Sequence, residues 1–164
     1  MKINIQNAER DLFEVDEEID IDFLPDELKS FYPGKAYVHV LVDKFGTDYR
    51  LKIETRVNAH YKCDRCLNDY SLERRGELSQ LVHIGQAPPQ ADEDIMYLEY
   101  GAKEIDITAV LKEMFILQHP IKMLCREDCK GLCPHCGVNL NTENCRCTTE
   151  PIDPRWDELR KLIK

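Results

Sequence analysis

The sequence predicts an α+β protein, with an antiparallel sheet, one or two packed helices and a cysteine-rich C-terminal segment. Three observations indicate this fold class. Apolar and polar residues alternate strictly from Tyr49 to Lys62, which is typical of a half-buried strand. The segment from Ile105 to Leu117 has helical spacing, and the eight cysteines fall into four close pairs.

The strands follow from residue type and from the positions of turns. Ala36 to Phe45 is rich in β-branched and aromatic residues, and Gly46-Thr47-Asp48 supplies a reversal before the long strand. Tyr70 to Ile84 can return beside that strand, which gives three or more antiparallel strands. Lys2 to Ile5 is expected to form a short edge strand.

Acidic residues dominate the segment from Glu9 to Lys29, with ten carboxylates against Arg10 and Lys29. We expect a solvated loop here, and the alternative is a docking segment for a basic partner such as a ribosomal protein. Gln86 to Asp94 contains Pro88 and Pro89 and is expected to be an exposed loop.

Two helices are predicted. In the first, Asp106 is the expected N-cap and Pro120 follows the end, and one face carries Ile107, Val110, Leu111, Met114 and Phe115. The second is a short helix that begins at Asp153-Pro154, with a buried stripe of Trp156, Leu159, Leu162 and Ile163. The predicted division is an acidic segment (1–34), a sheet with a helix (35–120) and a cysteine-rich unit with the last helix (121–164).

Composition restricts the class of protein. Hydrophobic residues make up 43% of the chain, which is enough for a core, and no apolar run reaches the roughly 20 residues that span a bilayer. The amino terminus has no apolar stretch like that of a signal peptide, so we expect a cytoplasmic protein with reduced thiols and no membrane partner. The net charge of −9 argues against a protein that simply coats nucleic acid.

The cysteine pairs are the strongest functional signal. They are Cys63 with Cys66, Cys125 with Cys129, Cys133 with Cys136, and Cys145 with Cys147. Zinc takes four ligands in a tetrahedron, commonly two from each of two tight turns. The eight cysteines therefore predict about two structural zinc ions and a zinc-ribbon-like C-terminal segment. An iron–sulfur cluster, which also uses four cysteines, ranks below zinc.

Two pairings of these cysteines remain open. The preferred one closes Cys133 and Cys136 with Cys145 and Cys147, which leaves the pair at Cys63 to join the pair at Cys125. Gly131 then lets the chain pass from one site to the other. The rival places Cys125, Cys129, Cys133 and Cys136 around one metal.

Basic residues raise the question of RNA contact. Arg50, Lys52, Arg56 and Lys62 share the polar parity of the long strand, as does His60. A solvated sheet face is the usual explanation, and an RNA-facing or partner-facing surface is the alternative. Tyr49 and Tyr61 have the other parity, which argues against base stacking on that face.

Further basic residues lie beside the cysteines. They are Lys62, Arg65, Arg126, Lys130 and Arg146. Such cations offset the negative charge of four thiolates around a zinc ion, and contact with phosphates is the alternative.

No enzyme and no small-molecule substrate are predicted. Five histidines, namely His39, His60, His83, His119 and His135, lack a nucleophile motif and the spacing of a catalytic zinc site. A zinc ion held by four cysteines has no open position for a reactive water molecule.

The segment from Leu124 to Asn141, with the sequence LCREDCKGLCPHCGVNLN, resembles the YceD family of bacteria and plastids. The run Cys63-Asp64-Arg65-Cys66-Leu67 after a long strand, the Ile105-Asp106-Ile107 helix start and the terminal Asp153-Pro154-Arg155 are also similar to it. The resemblance implies a role in the synthesis, processing or stability of 23S ribosomal RNA, without catalytic residues.

The leading interpretation is therefore a non-enzymatic ribosome-biogenesis factor that contacts ribosomal RNA or ribosomal proteins. One alternative is a zinc–thiol redox switch or chaperone, because the spacing of Cys133, Cys136, Cys145 and Cys147 resembles that of redox-regulated chaperones. The other is a zinc-ribbon nucleic-acid adaptor, which predicts salt-sensitive binding to RNA or DNA.

Overall fold

The computed structural model describes residues 1–6, 11–90 and 92–147. Its secondary structure, in chain order, is β1 (Lys2–Asn4), β2 (Leu12–Asp20), α1 (Asp26–Lys29), β3 (Lys35–Phe45), β4 (Asp48–Lys62), β5 (Asp69–Ile84), β6 (Ile95–Leu98), β7 (Glu104–Asp106) and α2 (Thr108–Gln118). Strands β2 to β6 form one sheet in the order β2-β3-β4-β5-β6, and β1 pairs with β7 in a second sheet. The predicted α+β class is confirmed.

One face of the five-stranded sheet packs on the core. Alternation along β3 and β4 buries every second residue, including Val38, Val40, Leu51 and Ile53. Helix α2 and the β1–β7 sheet cover this face, and their buried members include Leu111. We call this the inner face and the opposite one, which carries the parity of Arg50, the outer face.

Helix α2 lies across β5 where that strand has no side chain. A Cβ atom at Gly76 would overlap the side chain of Gln118, the last residue of the helix. The Arg74 guanidinium donates a hydrogen bond of 2.6 Å to the Gln118 carbonyl, which satisfies one of the carbonyls left free at a helix end. The predicted end of the helix before Pro120 is confirmed, because α2 ends at Gln118 and His119 is extended.

The prediction of a loop for the acidic segment is wrong over Leu12–Asp20. These residues form β2, which pairs with β3 along its whole length. Phe13, Val15 and Ile19 turn toward the core, and Glu14, Asp16, Glu18 and Asp20 lie on the outer face. Glu17 has the parity of the inner face, but it is exposed at the open edge of the sheet. Carboxylates at an edge strand stay in water, so a high acid content is compatible with a strand.

Two further details differ from the sequence prediction. The sheet is mixed, since β6 runs parallel to β5 and was not predicted. Ile105 belongs to β7, and α2 begins at Thr108 after Ile107 as N-cap. The Asp106 carboxylate still accepts a hydrogen bond from the backbone N–H of Thr108, at 2.9 Å. The predicted helix at Asp153 lies outside the described residues.

The length of β4 separates two ends of the molecule. Its 15 residues span about 50 Å at the usual rise per residue. The β3–β4 hairpin, with Gly46 at a φ of 65°, lies at one end, and Cys63 follows the strand at the other. Among the described residues, no helix has the length and apolar character needed to cross a membrane.

Candidate metal centres

The structure gathers the eight cysteines into two groups of four. In the first group the sulfurs of Cys63, Cys66, Cys125 and Cys129 all lie within 4.8 Å of one another, and in the second so do those of Cys133, Cys136, Cys145 and Cys147. This is the grouping of the preferred pairing. That either group binds a metal remains a prediction.

The Cys63 turn directs two sulfurs to one point. The backbone N–H of Cys63 donates to the Asn68 carbonyl at 2.9 Å, and the N–H of Leu67 donates to the Cys63 carbonyl at 2.9 Å. Leu67 has a φ of 60°, a left-handed conformation that costs a residue with a side chain about 1–2 kcal/mol. These bonds fold the chain back into β5 and leave Cys63 and Cys66 buried.

The Cys133 turn has the same hydrogen bonds. The N–H of Cys133 donates to the Val138 carbonyl at 2.8 Å, and the N–H of Gly137 donates to the Cys133 carbonyl at 2.9 Å. Gly137, with a φ of 73°, takes the left-handed position that Leu67 takes in the first turn. The two turns are therefore equivalent, and glycine relieves the strain in only one of them.

Asp64, in the turn that follows β4, begins a set of contacts. These contacts hold residues 123–129, which we call the Cys125 segment, against the end of β4. Asp64 and Met123 bond twice, because the Asp64 N–H donates to the Met123 carbonyl at 2.8 Å and the Met123 N–H donates to the Asp64 carboxylate at 2.7 Å. The Arg65 guanidinium donates to the carbonyls of Glu127 at 3.2 Å and Cys129 at 2.9 Å. The first group thus joins chain segments about 60 residues apart, as the separation of 59 between Cys66 and Cys125 shows.

Gly131 passes the chain from one group to the other, as predicted. Its φ is 77°, and a Cβ atom there would lie 3.0 Å from the Arg65 carbonyl oxygen. The next residue, Leu132, donates its N–H to that same oxygen at 3.1 Å. A side chain at position 131 is therefore disfavoured both by the backbone angle and by space.

Asn141 connects the two groups through its side chain. Its amide donates to the Cys129 sulfur at 3.4 Å, and its side-chain oxygen accepts from the Lys130 N–H at 2.9 Å and from Arg126 at 2.6 Å. Asn141 belongs to the loop between Cys136 and Cys145. The side chain of Asn141 thus adds to the backbone hydrogen bonds of Leu132 and Leu140 that hold the second group against the first.

The sulfur separations fit a single tetrahedral ion. Four sulfurs about 2.3 Å from a zinc ion lie about 3.8 Å from one another. The measured distances are 3.8 Å from Cys63 to Cys129 and 3.7 Å from Cys66 to Cys125. In the second group Cys145 lies 3.2 Å from Cys133 and 3.8 Å from Cys136. The first group therefore has the donor set and the size for such an ion, and the second has the donor set but brings Cys133 and Cys145 closer together.

Proton affinities differ among the sulfurs of the first group. Burial raises the pKa of Cys63, but backbone N–H groups of Cys125, Cys66 and Arg65 outweigh it, and the pKa falls to about 6. Burial and then the neighbouring thiols raise the pKa of Cys125 to about 12. One thiolate therefore suppresses ionisation of its neighbours, and a divalent cation is what favours four thiolates together.

The second group shows the same division. Backbone N–H groups of Cys136 and His135, followed by the Cys145 side chain, lower the pKa of Cys133 to about 6. The side chains of Cys136 and Cys145 raise the pKa of Cys147 to about 12. The N–H groups inside the turn thus stabilise the thiolate that begins it.

Comparison with known proteins identifies the family. A family model described as "Large ribosomal RNA subunit accumulation protein YceD" matches residues 51–163, which include all eight cysteines. The chain belongs to the YceD family. The resemblance stated from the cysteine segment is confirmed.

Relatives of this YceD-family chain are similar over part of their length. An uncharacterized protein of Mycobacterium tuberculosis is 33% identical over 107 residues, 62% of this chain and 49% of that protein. The "Large ribosomal RNA subunit accumulation protein YCED homolog 1, chloroplastic" of Arabidopsis thaliana is 36% identical over 70 residues, 43% of this chain and 22% of that protein. YlbN of Bacillus subtilis, also uncharacterized, is 28% identical over 103 residues, 62% of this chain and 59% of that protein.

The match to the mycobacterial relatives spans about half of their length. No solved structure matches this chain significantly. The family model begins within β4, so β2, β3 and their acidic edge lie outside the matched residues.

The basic residues predicted on the long strand do not form one patch. Arg50, Lys52, Arg56 and Lys62 all lie on the outer face of β4, but the first and last are twelve residues, or about 40 Å, apart. Lys52 is paired with Glu54 and Glu77, each at 3.1 Å. The predicted parity is correct, since Tyr49 and Tyr61 are buried on the inner face.

Among the cations beside the cysteines, two serve internal contacts. Arg65 binds backbone carbonyls of the Cys125 segment, and Arg126 binds Asn141 and lies 3.3 Å from the Asp128 carboxylate. Lys62, Lys130 and Arg146 are exposed around the two groups. The offset of thiolate charge is therefore shared between structural and exposed cations.

Asn141 and Leu67 were not singled out as functional from the sequence. No spacing rule connects Asn141 to Cys129. Leu67 stands four residues after Cys63, as Gly137 stands four residues after Cys133. Alignment of the two turns would have predicted its left-handed backbone.

We predict that serine substitutions in the two cysteine groups have different effects on zinc content and hydrogen exchange. Cys133→Ser should remove one of about two zinc ions and expose the amides of residues 133–147, because the second group lies at the periphery. Cys63→Ser should remove the other ion and expose the amides of residues 123–132, which are bound to the Cys63 turn. Elemental analysis and hydrogen exchange measure both effects.

The same two measurements can also contradict the assignment of cysteines to the two groups. If both variants lose the same ion and protection in the same segment, or if the purified wild-type protein carries less than one zinc ion per chain, this assignment is wrong. An iron–sulfur absorbance band would also contradict it.

A second prediction concerns the left-handed position of each turn. Leu67→Gly should leave stability unchanged or raise it by up to about 1 kcal/mol, because it removes strain at a residue whose side chain is largely exposed. Gly137→Ala should lower the stability of the zinc-loaded protein by about 1 kcal/mol. Denaturant unfolding of the two variants measures the difference, and equal effects of the same sign would refute the equivalence of the turns.

Proposed function

We propose that this protein is a non-enzymatic ribosome-biogenesis factor that promotes the accumulation of 23S ribosomal RNA and is stabilised by two structural zinc ions. The observation that carries the proposal is the family match over residues 51–163, which spans both cysteine groups. Plant relatives are named for accumulation of the large ribosomal RNA subunit. The proposed site of action is the cytoplasm.

Four-sulfur coordination supports a structural role for the metal. Zinc with four cysteine ligands has a complete shell and cannot activate water. The first group also ties the Cys125 segment to the end of β4, where removal of the ion would release a segment with few large apolar side chains of its own. Zinc is preferred because thiolate ligands at these separations suit a single tetrahedral ion.

The charge of the outer face favours a basic protein as partner. Within the five described strands, carboxylates on this face outnumber cations by ten to six. The carboxylates are Glu14, Asp16, Glu18, Asp20, Asp43, Asp48, Glu54, Asp69, Glu73 and Glu77, and the cations are Lys35, Arg50, Lys52, Arg56, Lys62 and Arg75. Such a surface repels phosphates overall and attracts the basic segments of ribosomal proteins.

Direct RNA contact is the competing proposal. Arg50 and Arg56 lie over the exposed rings of Phe45 and Tyr37, at 5.4 and 5.9 Å from the ring centroids. An arginine held against an aromatic ring can contact both a phosphate and a base. The two pairs are six residues apart along β4, so each would contact RNA separately.

Charge reversal distinguishes the two kinds of partner. We expect Glu14→Lys, Glu18→Lys and Asp20→Lys together to lower 23S ribosomal RNA in cells that depend on this protein, since they remove the acidic edge. Asp16 is left unchanged because it bonds Tyr37 and His39. The matched variant, with Arg56 and Lys62 changed to Glu, should support normal RNA levels, and it leaves the paired Lys52 unchanged.

Zinc content and thermal unfolding of both variants provide the control for folding, because the changed side chains lie on the outer face. If only the variant of Arg56 and Lys62 lowers 23S ribosomal RNA, direct RNA contact replaces protein docking. If neither variant does, the acidic edge and the surface around Arg56 and Lys62 are excluded as partner sites.

A thiol redox switch is a second candidate, which the exposure of the second group favours. Cys136 and Cys147 are exposed, whereas Cys63, Cys66 and Cys129 are buried. Two thiolates and hydrogen peroxide, with two protons, would give one disulfide and two water molecules, and the zinc ion would leave.

Peroxide titration tests this candidate. A switch releases one zinc ion per chain at low peroxide concentration, with recovery after addition of thiol and zinc, while the buried group keeps its ion. Loss of both ions together, or release only with irreversible oxidation, would exclude a switch.

A further inference from the structure

An apolar cleft lies on the outer face, at the end of the sheet away from the cysteines. Its volume is about 490 Å³, and its floor and walls include Phe45, Leu81, Pro88, Ile95 and Tyr97. The register of the sheet explains this composition. One cross-strand row contains Leu12, Asp43, Arg50, Leu81 and Ile95, and the next contains Phe45, Asp48, His83 and Tyr97.

The apolar side chains of the cleft are open to water. Phe45 is 50% exposed, Leu81 is 45% exposed, and Leu12 at the edge of the same surface is 54% exposed. The outer face of a sheet that is covered on one side is normally polar, as the centre of this sheet is. A local concentration of exposed large apolar residues is typical of a contact surface.

Carboxylates surround this cleft. Asp43 and Asp48 lie within it or beside it, and the exposed run of Asp92, Glu93 and Asp94 leads directly into Ile95. The Gln80 side chain fixes that run by donating to the Asp94 carbonyl at 2.8 Å. Among the described residues that line the cleft, Arg50 is the one guanidinium, so the surroundings are acidic.

Two contacts preform the walls. The His83 ring lies 2.6 Å from the Asp48 carboxylate and packs edge-on against Tyr97, with centroids 5.8 Å apart. The Arg50 guanidinium lies over the Phe45 ring. These contacts orient aromatic surface toward the cleft before any partner arrives, which reduces the entropy lost on binding.

We propose that this cleft binds a segment of a protein partner in which a large apolar side chain is flanked by lysine or arginine. The apolar anchor fits a cleft of this volume, and the flanking cations complement the carboxylates around it. The same carboxylates repel RNA phosphates, and they also repel a second copy of this chain, which would bring an identical acidic rim. The inference rests on the proposed function in that ribosomal proteins are the expected source of such a segment.

A defined peptide probe tests the proposal. The probe is fluorescein-labelled Lys-Lys-Leu-Phe-Lys-Lys, with Lys-Lys-Ala-Ala-Lys-Lys and Glu-Glu-Leu-Phe-Glu-Glu as matched peptides and a labelled twelve-nucleotide oligouridine as the RNA probe. We expect fluorescence anisotropy to show binding of the first peptide to the zinc-loaded full chain. Both matched peptides should bind at least about tenfold more weakly, because one lacks the anchor and the other the cations.

Amino-acid substitutions test whether the peptide binds in this cleft. Leu81→Asp should weaken binding of the first peptide by about tenfold, and Phe45→Ala should weaken it without adding charge. Ile121→Asp is the matched control and should have no effect, because that side chain is fully exposed and does not line the cleft. Circular dichroism and zinc content confirm that each variant is folded.

Several outcomes would overturn the proposal. These are equal binding of the leucine–phenylalanine and alanine peptides, unchanged binding by Leu81→Asp, or preferential binding of the oligouridine at this cleft. Failure of the proposed function is visible separately, as normal 23S ribosomal RNA in cells that lack the protein. The peptide result does not depend on that measurement.

Discussion

The four sulfurs at the end of β4 are the constraint on which the C-terminal part of the structure depends. Residues 121–147 contain few large apolar side chains, so burial alone gives this segment little reason to stay folded. Cys63 and Cys66 provide a fixed point because their turn continues directly from β4, the central strand of the sheet. The Cys125 segment closes on that point, and Asp64 and Arg65 set its direction through backbone contacts.

The two cysteine groups differ in how they are attached to the rest of the fold. Within the described residues, the hydrogen bonds that join the second group to the first involve Gly131, Leu132 and Asn141. Since Asn141 donates to the Cys129 sulfur, the loop of the second group contributes to the polar environment of the first. Loading of the first site is therefore expected to organise the second more than the reverse, because the first site has the core behind it.

The fold was largely predictable where one physical pattern dominated. Alternation from Tyr49 to Lys62 indicated β4, and helical spacing indicated α2, because each pattern reflects burial of a single face. Prediction failed at β2, where acids at an edge strand hid a weak apolar alternation of Phe13, Val15 and Ile19. It also failed at β6, whose four residues carry no pattern long enough to distinguish a strand from a loop.

The cysteine groups were predictable for a different reason. Spacing within each pair reflects the geometry of a tight turn, so the pairs are visible in the sequence, and Gly131 indicated where one group ends. Long-range contacts such as that of Asn141 with Cys129 depend on how two loops meet, which no local pattern encodes.

The two ends of β4 differ in the kind of surface that they form. At the cysteine end, polar contacts hold loops in place around the two groups of four sulfurs, and the aromatic cluster beneath them is buried. At the hairpin end, the same outer face exposes Phe45 and Leu81 among carboxylates. Surface that serves only as a solvated face has no reason to keep large apolar side chains in water. The long strand is thus expected to transmit rigidity from the two cysteine groups to the surface that we propose as a partner contact, with β3 and β5 keeping that surface aligned.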